Sequence, residues 1–162
     1  WIAGLLHTMR ELTLFFAPNI NSYKRYVEGS FAPTAVAWGM DNRTCALRVV
    51  GHGPGLRVEN RVPGGDVNPY LATAAIIAGG LYGIENELEL EPMFTGNAYG
   101  SDAPRVPSTL RDAAELFAAS TVAKDAFGPE VVEHYLNNAR VELKAFNSAI
   151  TDWERIRGFE RL

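Results

Sequence analysis

Between two clusters of turn residues, Gly51-His52-Gly53-Pro54-Gly55 and Pro63-Gly64-Gly65, the chain alternates with a period of two. Leu56, Val58 and Val62 stand against Arg57, Glu59 and Arg61. A strand sends successive side chains to opposite faces, so this run predicts a strand with an arginine, a carboxylate and an arginine in a row on one face. The other face is mostly apolar, with Asn60 as its exception. Two β-like runs precede it, Thr34 to Trp38 and Cys45 to Val50, and the glycine-rich joint after Val50 predicts an antiparallel hairpin with a loose turn.

The rest of the chain reads as helix and loop. Ile2, Leu5, Leu6, Met9, Leu12 and Phe16 recur at helical spacing until Pro18. Asn19 to Pro33 is rich in Asn, Ser, Gly and Pro, the composition of a long functional loop. Asn68 is placed to cap a helix with Pro69 at its first position. Tyr70 to Ile84 carries no charge but is too short for an ordinary membrane span and holds Gly79, Gly80 and Gly83, which predicts a buried helix. Glu85 to Pro107 reads as irregular surface chain. A helix then starts at Ser108 or Thr109 with Asp112 in its first turn. Pro129 opens the last helix, with Val132, Tyr135, Leu136, Ala139, Leu143, Phe146, Ile150 and Trp153 as one stripe. The fold class is α+β, helix-rich with a small antiparallel sheet.

Composition narrows the function. A chain of 162 residues with 47% hydrophobic and 21% charged residues has material for a core. A net charge of −4 argues against a general nucleic-acid binder or a basic membrane-surface protein. The one cysteine, Cys45, supports neither a disulfide framework nor a cysteine-rich zinc site and points to a reducing, cytoplasmic setting. The chain opens on Trp1 inside a helical pattern, as expected of an internal segment of a longer protein. No Walker A sequence occurs, the glycines around Pro54 lack dinucleotide-loop spacing, and His7, His52 and His134 form no metal-binding pair. The sequon Asn42-Arg43-Thr44 reads as accidental in the absence of a secretion signal.

What stands out is a concentration of Lys24, Arg25, Arg43, Arg48, Arg57 and Arg61 in the first part of an acidic chain. Guanidinium forks bind carboxylate and phosphate oxygens, and an acid among them can ligate a divalent ion. An anionic substrate with a metal-bound phosphate needs such a mixture. A salt-bridged, solvated strand face would show the same pattern.

The same residues carry a family resemblance. Asn21-Ser22-Tyr23-Lys24-Arg25, Ala32-Pro33, Asn42-Arg43-Thr44, Arg57-Val58-Glu59-Asn60-Arg61 and Asn68-Pro69-Tyr70-Leu71-Ala72 occur in that order. Together they resemble the C-terminal part of the glutamine synthetase catalytic domain. The ending Thr151-Asp152-Trp153-Glu154-Arg155 is similar to the branch that includes glutamylamide and polyamine ligases. The resemblance implies an ATP-dependent ligase that forms a γ-glutamyl amide from glutamate and an amine or ammonium through a γ-glutamyl phosphate, with Mg²⁺ or Mn²⁺. It implies that Arg25 holds the amino-acid carboxylate and that Arg61 sits at the substrate and developing phosphate. Arg43 would neutralise the transferring phosphoryl group, Arg48 would assist at the phosphates, Arg57 would lie near the nucleotide, and Glu59 would be one metal ligand. A homo-oligomeric ring is expected of the full-length protein, and no nucleic-acid or membrane partner.

Two departures qualify the resemblance. Ammonium-using members carry Gly-Tyr-Glu-Ala-Pro in the flap after the Lys-Arg pair, and this chain has Gly29-Ser30-Phe31-Ala32-Pro33. A phenyl ring takes no proton; it lines an apolar pocket or meets a cation, worth about 0.5–2 kcal/mol. Phe31 therefore points to an organic amine as acceptor, against the alternative that it only packs the flap. The family's other metal ligands and its N-terminal domain lie outside residues 1–162, so the segment alone is expected to be inactive. Ordinary glutamine synthesis from ammonium and a non-catalytic scaffold are the rival readings.

Overall fold

The computed structural model describes residues 1–159 and 161. The first predicted helix is two pieces, α1 (Ile2–Thr8) and α2 (Thr13–Phe16). Thr8 and Thr13 hydroxyls donate to the carbonyls four residues back, at 2.9 and 2.7 Å. Such back-bonding from Thr bends a helix. The long loop that follows is ordered by a 3₁₀ turn, Ile20–Arg25, capped reciprocally by Asn19 and Ser22.

The three strands are β1 (Ala35–Met40), β2 (Cys45–Val50) and β3 (Arg57–Asn60), in the order β1-β2-β3. β2 and β3 form the expected antiparallel pair. β1 and β2 run parallel, so the sheet is mixed rather than wholly antiparallel. A link as short as residues 41–44 ordinarily closes a hairpin, and parallel pairs ordinarily need a long crossover. Here the link turns on itself: Asn42 Oδ1 accepts from the Thr44 amide and hydroxyl, the Cys45 amide donates to the Asn42 carbonyl, and Asn42 Nδ2 donates to Gly96. The outer edge of β1 is covered by the irregular chain after Glu85. Phe94 donates to Trp38 at 2.9 Å, Val36 to Pro104 at 2.7 Å and Val106 to Thr34 at 3.0 Å. The face of β3 expected to be apolar is buried only at its end: Leu56 and Val58 are exposed and Val62 is fully buried.

The helices after the sheet are α3 (Pro69–Glu85), α4 (Leu110–Ala119), α5 (Thr121–Phe127), α6 (Pro129–Ser148) and α7 (Asp152–Phe159). Asn68 caps α3 and Thr109 caps α4 through its Asp112 amide, as the sequence predicts. Ser120 ends α4 and caps α5, a break the apolar pattern does not mark. The predicted last helix is also two, because the chain turns extended at Ala149. Its stripe packs only at Val132, Leu136 and Ala139, with Tyr135 and Leu143 half-buried. Phe146, Ile150 and Trp153 are exposed, so they are not core residues. Tyr70, which opens the run expected to form a buried helix, is 85% exposed. The main core gathers α1, α2, α4, α6 and one side of the sheet around Phe15, whose ring meets Phe117, Phe127 and Tyr135 edge-on at 4.9–5.2 Å.

Helix α3 is half-buried rather than buried all round, and glycines line its packed side. Its packed side is Ala72, Ala75, Gly79, Gly80 and Gly83, while Ile77, Leu81 and Ile84 face outward. A Cβ on Gly83 would lie 2.5 Å from the Gly4 Cα, and one on Gly4 would lie 2.6 Å from the Gly83 Cα. Backbone meets backbone there, so neither side can yield by changing a rotamer. Gly83→Ala is expected to destabilise the fold by about 1–3 kcal/mol, read as a lower thermal midpoint. An unchanged midpoint would show that the helices separate without cost.

Candidate functional site

The site is built by strand register. In the β2–β3 pair Arg48 lies opposite Glu59, and cross-strand partners on one face are close enough for side chains to pair. Arg48 Nη1 donates to Glu59 Oε2 at 2.8 Å. Arg61, two residues beyond Glu59 and therefore on the same face, donates from Nη1 to Oε1 at 2.6 Å. The carboxylate is thus shared by two guanidiniums from neighbouring segments. On the far side of Arg48, Asp41 accepts both Nε, at 2.9 Å, and Nη2.

Arg61 continues the array into the loops. Its Nε donates to the Arg43 carbonyl at 3.3 Å and its Nη2 to the Phe31 carbonyl at 2.9 Å. The flap and the Asn42-Arg43-Thr44 turn therefore meet at one side chain. The Arg43 guanidinium itself is exposed, with no hydrogen bond or ion pair among the described residues. Phe31 has a left-handed backbone, φ 59°, and the residue is 58% exposed. A bulky residue seldom adopts that conformation, so the flap holds Phe31 there by its other contacts. Arg25 is half-buried, lies 5.1 Å from the centroid of the Tyr26 ring, and donates to the Val62 carbonyl just past Arg61.

Burial pushes the Glu59 carboxyl up, but hydrogen bonds and charge from Arg48 and Arg61 outweigh it and hold the group below its ordinary range. The hydrogen bonds and charge of Arg48 hold Asp41 low as well. Burial lifts the Cys45 thiol to about 11, which removes it as a nucleophile at neutral pH.

Of the residues singled out in sequence, Arg48, Glu59, Arg61, Phe31 and Arg43 are joined in one network, with Arg25 beside it. Arg57 is not part of it: at the far end of β3 it is exposed and donates to Gly55 at 3.3 Å. Asp41 was not singled out. Its only sequence signal is an acid directly before the Asn42-Arg43 turn, and no periodicity marks it. Asp66 was missed too; it accepts from Ser22 at 2.6 Å and Asn19 at 3.1 Å and ties the long loop to the turn before α3.

The arrangement suits anions. Exposed or partly exposed guanidiniums can take carboxylate and phosphate oxygens by charge-assisted hydrogen bonds. A divalent ion is different. A hard cation takes about six oxygen ligands, whereas both Glu59 oxygens are held by arginines and no group of three or more His, Cys, Asp or Glu that could hold a metal is found among the described residues. These residues do not by themselves fit a magnesium site. Among the described residues no helix is long and apolar enough to cross a membrane.

Residues 1–157 match the family described as glutamine synthetase, catalytic domain. The chain belongs to the glutamine synthetase catalytic domain family. It is 65% identical, over all of its length and 35% of the relative's, to gamma-glutamylethanolamide synthetase of Streptomyces coelicolor. It is 45% identical to type-1 glutamine synthetase 2 of Dictyostelium discoideum, over 99% of this chain and 32% of that one. A solved structure of a GmaS/ADP complex superposes with a TM-score of 0.85 at 31% identity, covering 98% of this chain and 38% of that one. The chain thus spans about a third of the length of these relatives.

The depressed carboxyls set a pH dependence. A group whose folded pKa lies below its unfolded value stabilises the fold above the unfolded value, and that contribution disappears as pH falls through the folded pKa. For Glu59 the unfolded value is near 4.5. Stability is therefore expected to fall on acidification below about pH 4.5, and Glu59→Gln is expected to reduce the difference in thermal midpoint between pH 7 and pH 3. An identical pH profile in the variant would show that the shared carboxylate contributes nothing to the fold.

Proposed function

We propose that this chain supplies the arginine surface of an ATP-dependent ligase that joins glutamate to a small organic amine as a γ-glutamyl amide. The observation that carries the reading is Phe31. It stands exposed on the flap where the ammonium-using pattern has a glutamate, and the relative 65% identical to this chain is named for an ethanolamide product. Ethanolamine is accordingly the first acceptor to try.

The chemistry runs in two steps. The glutamate γ-carboxylate attacks the γ-phosphorus of ATP, forming γ-glutamyl phosphate and releasing ADP. The amine nitrogen then attacks the acyl carbon, phosphate leaves, and the nitrogen gives up a proton. Phosphoryl transfer depends chiefly on positioning and on charge placed around the equatorial oxygens. Arg43, with its unengaged guanidinium, is suited to the transferring phosphoryl group, and Arg48 and Arg61 to neighbouring phosphate oxygens. Arg25 holds the amino-acid carboxylate in this reading. Arg57 lies toward the nucleotide, apart from the network. Magnesium or manganese would neutralise phosphate charge when bound, and Glu59 would serve as a ligand to it only if Arg48 or Arg61 released one of its oxygens.

Activity, the homo-oligomeric ring and the cytoplasmic setting belong to the full-length protein, and the segment by itself is inactive in this reading. Removing Arg43 tests the site: Arg43→Ala in the full-length enzyme is expected to lower kcat about 10²–10³-fold, the scale for losing one donor to a developing anion, with the thermal midpoint unchanged. The acceptor is tested by ADP release with glutamate, ATP and Mg²⁺ across ammonium, ethanolamine and a panel of mono-, di- and polyamines. Turnover with an organic amine and little with ammonium is expected. Strong ammonium turnover would instead make the protein a plain glutamine synthetase, and no turnover with any acceptor would favour a scaffold.

A further inference from the structure

The flap is held at two consecutive carbonyls. Arg61 donates to Phe31 at 2.9 Å, and the buried Tyr99 hydroxyl donates to Ala32, also at 2.9 Å. Tyr99 lies 67 residues away in sequence, in the short 3₁₀ turn Ala98–Gly100 of the irregular chain beside β1. That turn is itself fixed from the other side. The Ala98 amide donates to Thr44 Oγ1 at 2.9 Å, and Asn42 Nδ2 donates to the Gly96 carbonyl at 2.9 Å. Arg105 adds a bond to Thr34 Oγ1 at 3.2 Å, beyond the flap's C-terminal end. One bracket, residues 96–105, therefore grips both the turn that presents Arg43 and the flap that presents Phe31.

We propose that Tyr99 is a positioning residue for the flap, pinning Ala32 so that Phe31 covers the acceptor side of the acyl phosphate and keeps water out. This rests on the ligase reading above. The Phe31 backbone sits in a left-handed conformation that a large side chain disfavours, so the flap has to be held in that shape. Within it, Ser30 Oγ accepts from the Ala32 amide at 3.2 Å and donates to the Val27 carbonyl at 2.6 Å; from outside it, Arg61 holds one carbonyl and Tyr99 the next. Loosening the flap admits water to the acyl carbon. Water then attacks it, phosphate leaves and glutamate is regenerated, so ATP is consumed without amide. Exclusion of water by a closing loop is the general protection for such intermediates.

The test is Tyr99→Phe in the full-length enzyme, which removes the hydroxyl and keeps the ring. One lost hydrogen bond of about 1 kcal/mol corresponds to roughly a fivefold change in the local opening equilibrium. Amides of residues 30–32 are expected to exchange with deuterium about fivefold faster. KM for the amine and the ADP released per amide should rise, with kcat at saturating amine and the thermal midpoint little changed. A merely structural role would not alter the ratio of ADP to amide. Thr44→Val loosens the bracket from its other end and is expected to shift the ratio in the same direction, which keeps the test available if Tyr99→Phe folds poorly. Unchanged flap exchange, or faster exchange with an unchanged ratio and amine KM, overturns the proposal. Absence of amide formation by the unsubstituted enzyme with every amine and with ammonium overturns the ligase reading and the coupling role together, while flap exchange alone still decides whether Tyr99 holds Ala32.

Discussion

The site depends on one carboxylate shared by two guanidiniums. Glu59 stands opposite Arg48 in the antiparallel register and two residues from Arg61 on the same face, so both cations converge on it. Without an anion between them, two like charges at that spacing would repel and their side chains would splay into water. Asp41 on the outer side of Arg48 extends the balance. The array is partly exposed, so its worth for stability is modest. Its value is geometric, because it fixes where positive charge is presented.

That geometry is carried into loops that could not hold it themselves. Arg61 reaches backbone carbonyls of the Arg43 turn and the Phe31 flap, so a charge positioned by a strand also fixes two loops. The irregular chain beside β1 performs the matching role through Tyr99, Ala98 and Gly96. It looks like linker in sequence, and in the fold it is the frame against which both loops are set. Elsewhere in the fold the glycines of α1 and α3 let two backbones touch, which brings the helix that follows the sheet close against the first.

Much of the local structure was legible. The Asn68 and Thr109 caps, the β2–β3 hairpin and the Arg57-Glu59-Arg61 face all follow from spacing that acts within a few residues. The errors came where distant contacts override local pattern. A parallel β1–β2 pair across a four-residue link is set by Asn42 bonding to its own turn and to Gly96. The stripe through Phe146, Ile150 and Trp153 has helical spacing, yet these three side chains stay exposed among the described residues while Val132 and Leu136 are buried. Periodicity reports an amphipathic face, not what lies against it.

The sequence alone determined the family, through five short motifs in order, and determined which side chains could share a strand face, because the period of two is a property of the backbone. It placed the phenyl ring of Phe31 where a carboxylate is usual. Only the tertiary structure decided which arginines converge. Arg48 and Arg61 meet at Glu59 and Arg57 does not, because register and the course of the chain after β3 set those distances. Only the fold brought Asp41 to Arg48 and Tyr99 to Ala32. Those bonds join residues whose sequence neighbours carry no sign of them, since a side chain's partner across space is chosen by packing rather than by spacing along the chain.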